Sequence, residues 1–147
     1  MTEFVLDMGS SAGRDAFRGL DSFTQGYVEA MFFTSTGTGD DGDLQDASVS
    51  ELAPSALELI VADCAKFQEV NAARLALAYE RCSKDWVAYD QEAAGRDFWY
   101  TRNGHGVGFW DRDALRADGL GDQLSEDCRT WRECYLYRGD DGLLYVG

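Results

Sequence analysis

The stretch that decides the predicted fold class runs from Asp97 to Asp111 and reads DFWYTRNGHGVGFWD. Two runs rich in aromatic residues flank Asn103-Gly104. An Asn-Gly pair between such runs is the strongest short-range signal for a β-hairpin. The segment therefore predicts two antiparallel strands joined by a tight turn.

The chain ends in a second pattern of the same kind. Residues 134–138 and 143–146 read as short strands, and Gly139-Asp140-Asp141-Gly142 between them supplies turn formers. Two hairpins at the end of the chain predict an antiparallel sheet of about four strands.

Helical spacing of apolar side chains dominates the rest of the chain. Ser55 and Glu58 have the spacing of a capping box, and Gly95 suits a helix end because glycine readily adopts a left-handed conformation. The predicted helices cover residues 21–33, 55–82, 86–95 and 120–131. Helices followed by strands predict a single α+β domain over residues 1–147, with helices packed on the small sheet and residues 1–19 loosely ordered.

The composition restricts the classes of partner. The 147 residues include 27 acidic and 13 basic side chains, for a formal net charge of −14 at pH 7. Such a charge repels nucleic acid and membrane surfaces and favours basic protein partners, although it also serves solubility. No run approaches the ~20 apolar residues of a membrane span, and no signal peptide is evident. We expect a cytoplasmic protein that binds neither membranes nor nucleic acid directly.

One long segment of the chain carries no basic residue. Between Arg18 and Lys66 there is no Lys or Arg, whereas carboxylates are frequent. The Asp-rich run does not match a calcium loop, because Asp46 stands where the loop glycine belongs. We expect either a solvated loop or an acidic surface that binds a partner, formed by Asp40, Asp41, Asp43, Asp46, Glu51, Glu58 and Asp63.

The sequence predicts neither a metal site nor a cofactor. The four cysteines form no C-x-x-C pair, and the one histidine is not placed to complete a zinc site with them. Cys64 and Cys128 fall on apolar helical stripes, which is typical of buried, reduced thiols.

The central aromatic segment contains the second set of candidate site residues: Trp99, Arg102, Asn103, His105, Trp110 and Asp111. His105 with Asp111 could serve a small enzyme as an oriented base, but the turn residues alone account for this string, and we expect no enzyme. A third hypothesis is an accessory module that binds DNA or a replication protein through the aromatic hairpin, with Trp99 and Trp110 as the residues to test.

The segment Gly95–Arg112, together with the closing LYRGDDGLLY at 136–145, resembles a family of small, mostly uncharacterised proteins carried by bacteriophages, prophages and plasmids. The stretches 27–30 and 63–67 are similar as well. The resemblance implies a mobile-element origin, and small acidic proteins of such elements are often anti-CRISPR or anti-restriction proteins, some of which mimic DNA. The leading hypothesis is an acidic protein that inhibits a host defence complex by binding its basic, nucleic-acid-binding surface.

Overall fold

The computed structural model describes residues 5–36, 44 and 46–147. Within these residues the fold is α+β, with a two-stranded antiparallel sheet. The elements are α1 (Ser11–Arg18), α2 (Ser22–Thr36), α3 (Pro54–Val70), α4 (Ala72–Tyr79), α5 (Gln91–Arg102), α6 (Leu120–Cys128), β1 (Leu136–Arg138) and β2 (Leu144–Val146), with 3-10 turns at Val49–Glu51, Phe109–Asp111 and Asp113–Leu115.

Helices α2 and α5 form the central pair of the domain. Each begins after an aspartate that caps it: the Asp21 carboxylate accepts from the Thr24 N–H at 2.8 Å, and the Asp90 carboxylate accepts from the Ala93 N–H at 2.8 Å. The helices approach so closely that a Cβ atom at Gly95 would overlap the backbone carbonyl of Phe23. Glycine is therefore required inside α5, where the sequence predicted a helix end.

Aromatic rings fill the space between the central pair and α3. The Phe67 ring of α3 stacks on Phe98 of α5 at 4.2 Å between centroids, and on Phe109 at 5.7 Å. Phe23 of α2 lies 5.9 Å from the Phe67 ring. All four side chains are completely buried, so this cluster is the centre of the core.

The prediction of a hairpin at residues 97–111 is wrong. Residues up to Arg102 belong to α5, because Ala94, Phe98 and Trp99 share the buried face of a helix that Asp90 caps. Asn103-Gly104 ends this helix: the His105 N–H donates to the Tyr100 carbonyl at 3.0 Å, and the Gly104 N–H donates to the Thr101 carbonyl at 3.4 Å. This is the Schellman arrangement, with Gly104 at a φ of 65°.

The final hairpin is confirmed, and the sheet of about four strands is not. Strand β1 pairs with β2 in the register Leu136–Val146, Tyr137–Tyr145 and Arg138–Leu144. The Ala53 N–H donates to the Leu144 carbonyl at 2.9 Å, which joins the hairpin to the start of α3. With residues 97–111 helical, the described residues contain one hairpin.

The other helix boundaries differ in detail from the prediction. The helix predicted over 55–82 is divided at Asn71 into α3 and α4, and the stretch 80–90 is a loop. The capping box lies at Ser48 and Glu51 rather than at Ser55 and Glu58. The segment 1–19, expected to be loosely ordered, includes α1. No helix among the described residues has the length and hydropathy to cross a bilayer.

Candidate functional site

The candidate site is the motif segment, defined as residues 97–112, which continues from α5 through a glycine-rich turn into the 3-10 turn Phe109–Asp111. Its polar side chains divide into a buried group that holds the fold and an exposed group at the tip. The buried group explains most of the segment's charged residues.

Asp97 is the most deeply buried carboxylate of this segment, at 1% exposure. Arg112 contacts it with two guanidinium nitrogens: Nη2 lies 2.6 Å from Oδ1, and Nε lies 3.0 Å from Oδ2. The Tyr89 hydroxyl donates to Oδ2 at 2.8 Å. Asp97 hydrogen-bonds to the Arg112 guanidinium and raises its pKa, which keeps Arg112 positively charged.

Arg102 anchors the end of α5 to α3. Its Nη1 donates to Asp63 at 2.8 Å and to the Tyr27 hydroxyl at 3.2 Å, and its Nε donates to the Arg132 carbonyl at 2.6 Å. Its guanidinium lies 5.2 Å from the centroid of the Trp131 ring, which adds a cation–π contact. Arg102 is therefore a structural residue with one side open to the surface of α6.

Asn103 and Trp99 are also structural. The Asn103 side chain accepts from the Cys134 N–H at 2.8 Å and donates to the Trp99 carbonyl at 3.1 Å, which fixes the chain entering the final hairpin. The Trp99 ring is 2% exposed, and its Nε1 donates to Thr34 at 2.9 Å. Trp99 is therefore buried and not placed to contact a partner, in contrast to what the accessory-module hypothesis requires of it.

His105, Trp110 and Asp111 remain at the surface. Trp110 is 44% exposed. His105 stacks on Trp99, with the ring centroids 6.5 Å apart, and partial burial lowers its pKa although Glu133 opposes the shift. Asp111 lies 3.6 Å from Arg116. Over the part of the chain that the structure describes, no hydrogen bond joins His105 to Asp111, so the oriented pair required for the enzyme hypothesis is not formed.

The structure divides the predicted acidic surface. Asp46 and Glu58 are exposed, whereas Asp63 pairs with Arg102 and Glu51 pairs with Arg138 at 2.6 Å. The hydrogen bond from Arg138 holds the pKa of Glu51 below its usual value. Asp40, Asp41 and Asp43 lie outside the described residues.

Sequence reasoning predicted Glu58 as part of an acidic surface but missed five other surface residues, on α3, on α4 and directly after α4. Ile60 and Phe67 of α3 and Leu75 of α4 are buried, whereas these residues are exposed. We call the set the outer face: Glu58, Leu59, Glu69, Val70, Leu77 and Glu80. The signal was available, because Glu58-Leu59 and Glu69-Val70 are eleven residues apart, which is close to three helical turns.

The loop after α4 presents the most exposed large apolar side chain of the described residues. Trp86 is 86% exposed and has a φ of 64°. Its N–H donates to the Ser83 carbonyl at 2.9 Å, and the Ser83 N–H donates to the Val87 carbonyl at 2.8 Å. Asp113 accepts from the Lys84 N–H at 2.9 Å and thereby ties this loop to the residues that follow the motif segment.

Neither a metal centre nor a related protein identifies the site. Across residues 5–36, 44 and 46–147, no three His, Cys, Asp or Glu side chains are grouped to hold a metal ion. Comparison of the chain with family models, with curated proteins and with solved structures gave no match. The function must therefore be argued from the surface itself.

Proposed function

We propose that the protein inhibits a host defence complex, of the anti-CRISPR or anti-restriction type, by binding it through the outer face of α3 and α4. The observation that carries this proposal is the mixture of carboxylates without a basic partner and exposed apolar side chains along α3 and α4. The charge suits the basic surface of a nucleic-acid-handling protein, and the apolar side chains suit a protein partner.

The apolar members of the outer face are unusually accessible for their type. Leu59 is 43% exposed, Val70 51% and Leu77 50%. Scattered exposed apolar residues need no explanation, but the three here accompany exposed glutamates without a basic partner, and that combination suits an interaction surface. Burial of such side chains supplies affinity that charge alone does not give.

The acidic members are free to contact a partner. Among the described residues, no basic side chain lies within ion-pair distance of Glu58, Glu69 or Glu80, in contrast to Glu51 and Asp63. Lys66 is the exposed basic residue on this side of α3. Unpaired carboxylates accelerate association with a basic surface and make it sensitive to salt.

This mixed surface favours docking on a protein over pure mimicry of DNA. A DNA mimic presents carboxylates at phosphate-like spacing and needs no apolar anchors. The outer face places apolar side chains between its glutamates, and a partner that uses it must offer an apolar patch with Lys or Arg at its rim. The charges of the Asp-rich run around Asp40 would then contribute to attraction rather than to the docked contact.

The test uses the triple variant Glu58→Gln, Glu69→Gln and Glu80→Gln. The control variant Asp15→Asn, Asp85→Asn and Asp140→Asn removes the same charge from exposed residues elsewhere. Bacteria with an active CRISPR or restriction system would express each protein, and plating of a targeted phage would be measured. We expect the wild type and the control to restore plating, and the outer-face variant to restore it less.

A second triple variant, Leu59→Ser, Val70→Ser and Leu77→Ser, separates docking from charge attraction. If the outer face docks, this variant loses inhibition at any salt concentration, whereas the glutamine variant loses most at low salt. Affinity capture of the defence complex at two salt concentrations gives the comparison. Full inhibition by both triple variants would rule out the outer face as the contact surface.

A further inference from the structure

The motif segment and α6 enclose a surface cavity that is separate from the outer face. Its volume is about 390 Å³, which is within the range of small-molecule sites. Arg102, Gly104 and Trp110 line one side, and Ser125, Arg129 and Trp131 line the other. Residues of the motif segment therefore form part of the wall of this cavity.

Arg102 has an unused hydrogen-bonding group beside this cavity. Its Nε and Nη1 atoms donate to Arg132, Asp63 and Tyr27, but its Nη2 makes no hydrogen bond within the described residues. Nη2 is not sealed from solvent, since the buried side-chain atoms that lack a partner are those of Tyr79 and Ser125. The Asp63 carboxylate already balances the charge of Arg102, so a neutral acceptor suits Nη2 better than a free anion.

Ser125 is the second unsatisfied group. Its buried hydroxyl has no hydrogen-bond partner in the described structure, and Ser125 lines the cavity. Burial raises the pKa of the neighbouring Cys128 thiol to about 12, so this wall carries no thiolate at neutral pH. Arg129 and Glu133 also line the cavity, so its lining carries charged groups of both signs.

The walls of the cavity suit a flat ring. Trp110 is 44% exposed, and the half-buried Trp131 is held by an edge contact with Phe98 at 5.2 Å between centroids. Indole faces stack on planar heteroaromatic rings with little dependence on their identity. Arg129 and Glu133 place opposite charges in the lining, which favours neither a cation nor an anion, and the net charge of −14 disfavours a polyanion.

We infer that this cavity binds a neutral, carbonyl-bearing nucleobase, as found in guanosine or uridine, with the ring against Trp110 and a ring carbonyl on Nη2 of Arg102. Adenine, which has no carbonyl, binds more weakly. The site is independent of the outer face, so it stands or falls apart from the proposed inhibition.

Equilibrium dialysis with guanosine, uridine and adenosine tests this site. The variant Trp110→Ala should weaken binding of guanosine by about tenfold, the effect of losing one stacking partner. Ser125→Ala should weaken it less, and Trp86→Gly, which removes an exposed tryptophan elsewhere, should leave it unchanged. Circular dichroism of each variant confirms that the fold is retained.

The outcomes separate the ligand classes. Equal binding of guanosine and guanosine monophosphate supports a site for the neutral base. Binding of the monophosphate alone would overturn the inference in favour of an anion site near Arg129. The inference would also be overturned if neither guanosine nor uridine showed saturable binding, or if the Trp110 and Trp86 variants lost guanosine binding equally.

Discussion

Arg112 and Asp97 form an ion pair of unequal burial: the Asp97 side chain is 1% exposed and that of Arg112 is 36% exposed. They are fifteen residues apart in the chain, and they join α5 to the end of the motif segment. The carboxylate depends on its partner for solvation, whereas water can reach the guanidinium. The cost of losing one partner should therefore depend on which one is removed.

We predict that Arg112→Met lowers the free energy of unfolding by about 3 kcal/mol or more, because it leaves a buried carboxylate without its counter-charge. Asp97→Asn should cost less, since the amide can still accept from Tyr89 and Arg112 can turn to water. Urea unfolding of both variants gives the comparison. A larger cost for Asp97→Asn would contradict this account of the pair.

A double variant provides the control. Asp97→Leu combined with Arg112→Met removes both charges, so it should be more stable than Arg112→Met alone by at least about 1 kcal/mol. If the double variant is instead the least stable of the set, the pair stabilises the fold through its hydrogen bonds rather than by mutual neutralisation.

The sequence predicted the elements whose signals are local. The helix predicted from residue 21 is present as α2, with Asp21 as its cap, and the final hairpin has the turn residues that its two strands require. The central aromatic segment was misassigned because Asn-Gly serves both a hairpin turn and a helix C-cap. The preference of aromatic residues for strands also depends on the packing around them, which the sequence does not show. Packing of Phe98 and Trp99 against α2 stabilises the helix over the hairpin.

The candidate site was predicted in part. Arg102 and Asp111 of the motif segment were predicted as candidate site residues, but sequence spacing could not show that Asp97 pairs with Arg112 or that Arg102 pairs with Asp63. These pairings arise from the crossing of helices distant in the chain. Of the outer face only Glu58 was predicted, because Glu69 and Glu80 lie beyond the segment without basic residues between Arg18 and Lys66.

Gly95 is predicted to be among the positions least tolerant of substitution. Gly95→Ala would place a methyl group against the Phe23 carbonyl in α2, and backbone cannot move aside as a side chain can. We expect a loss of about 3 kcal/mol or more in the free energy of unfolding, at the upper end of overpacking costs. Gly19→Ala is the control, because its added carbon makes ordinary contacts at 3.5 Å and 3.6 Å.

Thermal melts of the two alanine variants test this prediction. The melting temperature should fall sharply for Gly95→Ala and stay within a few degrees of the wild type for Gly19→Ala. Equal melting temperatures for the two variants would mean that α2 and α5 can separate without cost, contrary to the close contact described here.

We predict that the free energy of unfolding depends on pH in a range that is set by the protonation of His105. Partial burial lowers its pKa from 6.5, and it is the only histidine of the chain. As pH falls below 6.5, the unfolded chain takes up a proton before the folded protein does, so the free energy of unfolding decreases. Carboxylates such as Glu51 contribute only at lower pH, because their pKa values begin near 4.5 and are lowered.

Urea unfolding of the wild type and of His105→Asn between pH 7.5 and about 5 measures this effect. The wild type should lose stability over this range, and the variant should lose less. Asparagine is chosen because it accepts turn conformations and does not titrate. Parallel pH profiles for the two proteins would show that the histidine is solvated as well in the fold as in the unfolded chain.

Trp86 has a left-handed backbone conformation that glycine adopts without strain. Its φ is 64°, and its side chain is 86% exposed, so the loop is held by backbone hydrogen bonds and by Ser83 rather than by the indole. Trp86→Gly should therefore retain the loop. Relief of strain is offset by the greater freedom of glycine in the unfolded chain, and we expect a free energy of unfolding equal to that of the wild type or up to about 1 kcal/mol higher.

A β-branched residue at position 86 provides the comparison for this prediction. Trp86→Val should lower stability by about 1–2 kcal/mol relative to Trp86→Gly, because a branched Cβ is disfavoured at positive φ. Substitution of the neighbouring exposed Val87 by glycine should instead be destabilising, since that residue is not left-handed. If Trp86→Val proves as stable as Trp86→Gly in urea unfolding, the left-handed conformation carries no strain. A conformation without strain would need no functional explanation. Strain at so exposed a tryptophan would instead indicate that the conformation is retained because it presents the indole at the surface.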